Sequence, residues 1–575
     1  MFGDFELREI PLSLKSAAKE RERILSAAGL RAETADHSVG IYDSDDTLLA
    51  TASLSGETVT CVAVDDRYRE ENLTNTLISA ILDIAQNKGI DNPRVFTKPE
   101  YERVFRSLGF SLTGRAGNAI LMEYDRRQLE SYKEYLRSQH REGMRTGCIV
   151  MNANPMTLGH LFLIEKSAVQ VDHLFVIPVK EDTAAMFSYT ERRNILLEAT
   201  GHIRNVTILE GSRYVISRDT FPTYFMKEVT DATDTHISLD LNIFTTHIAP
   251  ALGVTTRFAG TEPADPLTAR YNTLMKEILP EHGIEFREIP RMEKGGIVIS
   301  ASSVRRMLTE GKPGMTFGIV PHATIPAILS YAAYHALIEE LDLTPKPGLV
   351  DRNDSGSHTD MDYALMRKSA ESLRETFTEI AEASMREKCP DADLLSPVGI
   401  RGEKIMMRNT GGVNTHRGAL FCIGLAISAA AHILHTGSSL TVESLRATIK
   451  RIAESFPRPT DTHGAYVADK FNIPTALDNA LDGYRNVFRN LSITDNHRLL
   501  LILMSVTEDS NIYYRCGEDT AREVRKLSAA LSDNFTEKDL NDLNKEFISR
   551  RISPGGSADL LSLSVLIRGL IIPEI

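Results

Sequence analysis

The chain has 575 residues, 42% apolar and 25% charged, with a formal net charge of −13 and a pI near 5.7. That length exceeds one hydrophobic core and implies about three or four domains. The acidic balance excludes a duplex nucleic-acid binder, which needs clustered Lys and Arg, and argues against a membrane surface as partner. Five scattered cysteines (Cys61, Cys148, Cys389, Cys422, Cys516) form no CxxC pair, the pattern of a reducing, cytoplasmic protein without disulfides or a zinc ribbon. No basic segment followed by an apolar one opens the chain, so no signal peptide is expected.

Residues 1 to about 126 mix strands with amphipathic helices. ETVTCVAV (57–64) reads as a strand, and Leu73, Leu77, Ile81 and Ile84 recur at helical spacing after it. A second strand–helix pair covers 94–98 and 101–108. The densely charged 127–147 reads as an exposed connecting helix. Strands are expected at 148–152, 173–179, 206–210, 256–260 and 284–290 with helices between them, the pattern of a parallel α/β sheet. A Gly/Pro-rich seam spans 311–326. Beyond it 327–342, 360–388, 418–435, 442–455, 498–508, 519–531 and 557–570 have helical periodicity, so the last third should be all-α. The apolar stretch 418–434 contains Ser428 and His432 and reads as a buried helix rather than a bilayer span.

Two helix starts in the middle region suit an anion. MNANPMTLGH (151–160) leaves a strand through Asn154 and Thr157 to Gly159 and His160, where unpaired amides and the helix dipole favour phosphate. Alone, it could equally be a capped helix with a structural histidine. ISASSVRRML (299–308) supplies Ser300, Ser302 and Arg305 at another helix start, a good triphosphate clamp.

Together these stretches resemble the nucleotidylyltransferases. With FPTYFMKE (221–228), HISLDLNIFTTHIAPALG (236–253), GTEPADPLTARYN (260–272) and IPRMEKGGIVISASSVR (289–305), residues 1–315 look like citrate lyase ligase. The resemblance implies acetate activated by ATP as acetyl-adenylate, then acetylation of the prosthetic-group thiol on the citrate lyase acyl carrier protein. It implies that Thr157 and His160 contact the ATP phosphates, with Gly159 permitting the close approach, and that Ser300, Ser302 and Arg305 hold the β and γ phosphates. Asn154, Gly260, Thr261 and Glu262 would complete the ATP site, with Lys180 and Arg192 as further phosphate candidates. Mg²⁺ is implied by triphosphate chemistry, without a ligand set to point to.

The order of elements in 1–126 is similar to the GNAT acetyltransferase fold. Its pyrophosphate loop corresponds here to Arg69-Glu70-Glu71-Asn72-Leu73-Thr74, where Asn72 and Thr74 replace small residues and two acids stand where an anion would sit. A structural or carrier-docking role is therefore expected rather than acetyl-CoA catalysis.

In the last third, four polar loops flank apolar helices: 345–362 with Asp351, Asp360 and Asp362; 409–418 with Gly411, Gly412, Asn414, His416 and Arg417; 508–517 with Asp509 and Arg515; 553–561 with Gly555, Gly556 and Ser557. Capped helix ends explain any one of them but strain to explain all four. These motifs look like the triphosphoribosyl-dephospho-coenzyme A synthase family, which joins ATP to dephospho-coenzyme A with release of adenine. The resemblance implies the aspartates as metal or oxocarbenium partners and His416 and Arg417 on phosphate. Against that family's pattern, a G-x-R-G-E-A-like segment is expected after a helix, and 463–480 lacks its Arg and Glu; Cys516 stands for a second Gly.

The expected fold is multidomain: an α+β GNAT-like domain over 1–135, an α/β Rossmann-like nucleotidylyltransferase domain over 145–318 and an all-α domain over 322–575. The expected function is bifunctional maturation and activation of citrate lyase, with acetate, the carrier protein and dephospho-coenzyme A as partners. Alternatives are an active ligase with a degenerate, carrier-docking C-terminal domain, a nucleotidylyltransferase for a small phosphorylated metabolite, and the malonate decarboxylase counterpart of the synthase.

Overall fold

The computed structural model describes residues 5–68, 71–181, 185–215, 229–262, 265–294, 297–458, 460 and 462–571. By compactness the chain divides into two units, Met1–Asn154 with Gly159–Val298, and Pro155–Leu158 with Ile299–Ile575.

Among its described residues the first unit carries two large sheets and a small two-stranded pairing of Glu293–Lys294 with Ile297–Val298. One contains β1 (Glu6–Glu9), β2 (His37–Tyr42), β3 (Leu48–Ser55), β4 (Thr58–Val64), β5 (Arg94–Thr97), β6 (Ser111–Ala116) and β7 (Ala119–Glu123), in the order β1-β2-β3-β4-β5-β7-β6. Its neighbours are antiparallel except β4 and β5, which pair in parallel only at Thr58–Arg94 and Val59–Val95. Both faces are covered. The helix Leu73–Asn87 packs on one with Phe105 and Phe110, while Ile24, Leu25, Leu239 and Ile243 cover the other. Strands buried on two sides need no alternation, which is why LLATASLS of β3 gave no strand signal. Gly114 in β6 permits the close helix approach: a Cβ there would lie 2.6 Å from Ile243 Cγ1.

The other sheet is parallel and follows the expected positions: β8 (Thr146–Met151), β9 (His173–Pro178), β10 (Val206–Ile208), β11 (Val254–Gly260) and β12 (Glu285–Ile289), ordered β10-β9-β8-β11-β12. The chain enters at the central strand β8, moves outward to β10, then returns to β11 on the other side. Ligands in such sheets sit beyond the carboxyl ends of the strands where this direction reverses. The helix Arg127–Gln139 corrects the expectation of an exposed connector: Leu129 is buried in the first sheet's core and Leu136 in the second's.

The second unit is helical; among its described residues no strand occurs. Its centre is built from the helices Ile325–Asp342, Arg374–Ser384, Arg417–His435 and Gly555–Leu570, which pack on one another. Most of Arg417–His435 is buried, so it is a core helix. The expected stretch 360–388 is two helices, Tyr363–Ser372 and Arg374–Ser384, divided at Leu373. The compactness boundary falls at Val298, ahead of the Gly/Pro-rich 311–326, because the helix Ala301–Thr309 packs on the turn Pro313–Thr316 and on Ile325–Asp342.

Candidate active sites

In the first unit, β8 ends at Met151 and the chain turns sharply. Ala153 adopts a left-handed backbone (φ 47°), a strain of about 1–2 kcal/mol for a residue with a Cβ. Asn154 is buried and its Oδ1 accepts from the Phe187 amide at 3.1 Å, so it ties two loops together. The helix Leu158–Ala168 then begins, with Gly159 and half-buried His160 in its first turn among amides that lack helical partners.

Arg192 is fully buried. Its guanidinium donates to the carbonyls of Asn152 (2.7 Å), Val179 (3.0 Å), Glu181 (2.5 Å) and Phe187 (3.1 Å). Those bonds make it the frame of the strand-end loops. Exposed Lys180 follows β9, its ammonium 5.8 Å from the Tyr189 ring centroid.

On the other side of β8, Gly260 ends β11 with open space where a Cβ would stand. Thr261 donates its amide to Ile289 and accepts from Arg291, whose Nε donates to the Thr261 carbonyl at 2.6 Å. Arg291 also pairs with the buried Glu262 carboxylate. This arginine was not among the expected site residues, although it stands in the quoted IPRMEKGG stretch; its only sequence signal was its place one strand-end away from GTE. Residues 221–228 and 263–264 lie outside the described residues, as do Arg69 and Glu70 of the acidic loop. Asn72 of that loop is left-handed (φ 54°), a conformation natural to Gly and tolerated by Asn.

The residues expected to oppose His160 belong by compactness to the second unit. Thr157 is 1% exposed, in a short segment held by the Leu158 amide on the Ile319 carbonyl (3.0 Å) and the Thr324 hydroxyl on the Met156 carbonyl (3.1 Å). Ser300 caps the helix Ala301–Thr309, accepting from the Ser303 amide at 3.1 Å. Arg305 donates to Ser302 Oγ at 3.4 Å, and burial lowers its pKa.

The four polar loops of the helical unit meet at one end of it. Arg515 donates to the Ser357 carbonyl at 3.3 Å, His358 Nε2 lies 2.8 Å from Ser553 Oγ, and Asp509 accepts from the Ser557 amide at 3.0 Å. Gly418 presses on Asp559, leaving no room for a side chain at 418. Gly555 and Gly556 admit Asn511 and Asp509 in the same way.

Several expected carboxylates are occupied there by backbone amides. Asp351 accepts from Lys346, Asn353 and Asp354, Asp362 caps the helix Tyr363–Ser372, and Asp509 caps Ser510–Cys516 as well as holding Ser557. Asp360 is exposed beside His358. Gly411 and Gly412 take positive φ after the helix Ala392–Asn409, Asn414 is exposed, and exposed Arg417 pairs with Glu403 at 3.1 Å.

His416 is 3% exposed, with Nδ1 2.8 Å from Ser369 Oγ. Burial, with the Lys346 ammonium nearby, pulls its pKa down to about 3, which favours the neutral imidazole. Sequence reasoning missed the deepest charges. Lys346 is 1% exposed and donates to the Glu340 carboxylate at 2.5 Å and the Glu340 carbonyl at 2.9 Å. The G-x-R-G-E pattern sought at 463–480 stands instead at Gly399–Glu403, on the helix Ala392–Asn409. Gly402 there lets that helix approach Thr376 closely, and Glu403 reaches Arg417.

A family model for the citrate lyase ligase C-terminal domain matches residues 146–328, and one for ATP:dephospho-CoA triphosphoribosyl transferase matches residues 326–573. The [citrate [pro-3S]-lyase] ligase of Escherichia coli (strain K12) is 37% identical over 331 residues, covering 56% of this chain and 94% of its own. The Klebsiella pneumoniae ligase is 39% identical over 290 residues, covering 50% and 84%. A probable 2-(5''-triphosphoribosyl)-3'-dephosphocoenzyme-A synthase of Pseudomonas fluorescens is 34% identical over 270 residues, covering 43% and 92%. Among solved structures, the NadR protein in complex with NAD and AMP-PNP aligns over 60% of this chain and 96% of its own at 12% identity, with a TM-score of 0.25, too low to bear on the fold. Carrying nearly the full length of both kinds of relative, the chain belongs to the citrate lyase ligase family and to the triphosphoribosyl-dephospho-coenzyme A synthase family, a ligase and a transferase of citrate lyase prosthetic-group biosynthesis in one polypeptide.

Proposed function

We propose that this enzyme both makes the precursor of the citrate lyase prosthetic group and acetylates the finished group. The observation that carries the reading is the joining of the two families in one chain, since one product is the other activity's eventual substrate. The functional domains are proposed as 1–135, GNAT-like by its strand order and its parting β4 and β5; 145–318, Rossmann-like by its parallel order; and 322–575, all-α. The first serves structure or carrier docking, given Asn72 and Thr74 in its loop.

In the ligase reaction, an acetate oxygen attacks the α-phosphorus of ATP and pyrophosphate leaves. His160 offsets charge on the α-phosphate, with Gly159 allowing the backbone to come close. Gly260, Thr261 and Glu262 face nucleobase or ribose at the end of β11, and Lys180 lies along the same strand edge. On the second unit, Thr157, Ser300, Ser302 and Arg305 offer hydroxyls and a guanidinium to phosphate. The carrier thiolate then attacks the acetyl carbonyl and AMP departs.

In the transferase reaction, a hydroxyl of dephospho-coenzyme A replaces adenine at the anomeric carbon of ATP. The convergence of the loops 345–362, 409–418, 508–517 and 553–561 supports a site at that end of the helical unit. Among the described residues no three His, Cys, Asp or Glu are grouped to hold a metal. Mg²⁺ would enter on the triphosphate with water and one or two carboxylates.

Acetate-dependent ATP–pyrophosphate exchange tests the first activity: His160→Ala should abolish it, and unchanged exchange would remove His160 from the mechanism. Adenine release from ATP and dephospho-coenzyme A tests the second, and its absence from wild-type protein would leave the helical unit without a transferase role.

A further inference from the structure

The helical unit holds a cavity of about 260 Å³ that lies beside the four polar loops rather than within them. Its lining comes from the helix Ala476–Leu481 and the turn after it, the short helix Arg485–Arg489, the residues at the end of the helix Asn496–Val506, and Leu560. Buried Tyr484, Val487 and Leu560 form its depth, and exposed Arg485, Arg489 and Val506 its rim. Glu508 and Leu560 also belong to the loops 508–517 and 553–561, so the cavity borders the end of the unit where those loops meet.

The charges of this lining are unequally spent. The Asp482 carboxylate accepts from Arg485 at 2.7 Å. Glu508 is paired with Arg525 and accepts from the Tyr513 hydroxyl. Both acids are thus neutralised, and Arg446 brings a further guanidinium close, donating to the carbonyls of Asp482 (3.0 Å) and Gly483 (3.1 Å). Arg489 has no ion pair or hydrogen bond among the described residues, and neither has the carboxamide of Asn479. Thr507 Oγ1 is buried without a partner, as is the hydroxyl of Tyr484, a residue 4% exposed whose backbone is left-handed (φ 45°). A buried hydroxyl without a partner is destabilising until a ligand supplies the missing bond.

We propose that this cavity is a phosphate subsite of the transferase, where Arg489 and Thr507 hold a phosphoanhydride group of one of its two substrates, ATP or dephospho-coenzyme A. The inference rests on the transferase reading above. A guanidinium without a carboxylate partner, flanked by a free hydroxyl and a free carboxamide, is a donor set matched to phosphate oxygens. The size agrees. The cavity is smaller than the roughly 300–1,000 Å³ that encloses a whole drug-sized ligand, so it takes one group while the rest of the substrate reaches toward the polar loops. Contacts made there are away from the bond being exchanged and hold ground state and transition state alike, so they act on affinity rather than on the chemical step.

The test uses the full-length chain. Arg489 is exposed, so Arg489→Ala should fold as wild type does. It should raise the KM for one of the two substrates in adenine release by about 10–10²-fold with kcat little changed. Thr507→Val should raise the same KM by about two- to tenfold. A rise confined to dephospho-coenzyme A assigns the cavity to its pyrophosphate, and one confined to ATP to the triphosphate. Both KM values unchanged in Arg489→Ala would overturn the subsite. A second measurement needs no turnover. The chain has no tryptophan, so Val506→Trp sets a single fluorescent reporter at the rim. Its emission should respond saturably to dephospho-coenzyme A or to ATP, and adding Arg489→Glu should abolish the response. No response to either substrate, or one indifferent to Arg489→Glu, would overturn the subsite. A saturable, Arg489-dependent response in a chain whose wild type releases no adenine would instead overturn the transferase reading and leave the phosphate site standing.

Discussion

The strand-end edge of the first unit and the polar end of the helical unit handle charge in opposite ways. At the edge of a parallel sheet His160 is half-buried and Lys180 exposed, and the buried guanidinium of Arg192 holds the loops that present them. In the helical unit the charges lie inside, Lys346 against Glu340 and Asp509 among amides, where water cannot screen them. The difference teaches where each site should be sensitive. Substitution at the edge should cost activity, whereas substitution in the helical unit should cost stability first unless the group has been left without a structural duty.

Lys346→Met tests the buried side of that comparison most severely. It strands the Glu340 carboxylate and should destabilise the protein by about 3–5 kcal/mol in denaturant titration, while Lys346→Met with Glu340→Gln should recover most of the loss. A single variant as stable as wild type would show that the interior is wetter than the geometry implies.

His160→Ala tests the edge. Acetate-dependent exchange should fall by about 10²–10³-fold, with the denaturation midpoint and adenine release unchanged. Parallel loss of adenine release would break the separation of the two sites.

Acid should act on the interior through His416. The unfolded chain takes up that proton near 6.5 and the folded chain only near 3, so acid favours unfolding between those values. Stability should be full above about pH 6.5 and fall, on account of this group, by up to about 1.4 kcal/mol per pH unit below it. The His416→Gln variant should flatten the curve, and an identical slope would assign the effect elsewhere.

The smallest effect separates capping from chemistry. Asp509→Ala should cost about 1 kcal/mol as a lost cap and leave adenine release within about tenfold of wild type. A far greater loss of activity at equal stability would return Asp509 to the reaction.

The legible parts of this protein are those where function and local pattern coincide. The five strands of the parallel sheet were expected at nearly their observed places, because most are short apolar or β-branched runs set between helical stretches. MNANPMTLGH was readable as a strand-to-helix junction because its loop, glycine and histidine are contiguous. The first sheet was harder: β2 and β3 are buried on both faces and have no alternation to betray them. The hold of Arg192 on four carbonyls was not legible, because an arginine near a phosphate loop looks alike in sequence whatever its guanidinium meets. Gly399–Glu403 was overlooked in a helix that the polar-loop search passed over, and Lys346 sat unremarked in a loop chosen for its aspartates.

By itself the sequence determined the two families, the parallel sheet, the helical last third and the four polar loops, since each is written in contiguous residues through periodicity, caps and glycines. Only the tertiary structure decided which charges are spent and which are spare. Glu340, Lys346, His416, Asp509 and Asp559 come from separate helices and loops, and only folding brings them together. Their chemistry follows from burial and from counting donors against acceptors, quantities that exist only once the chain has folded.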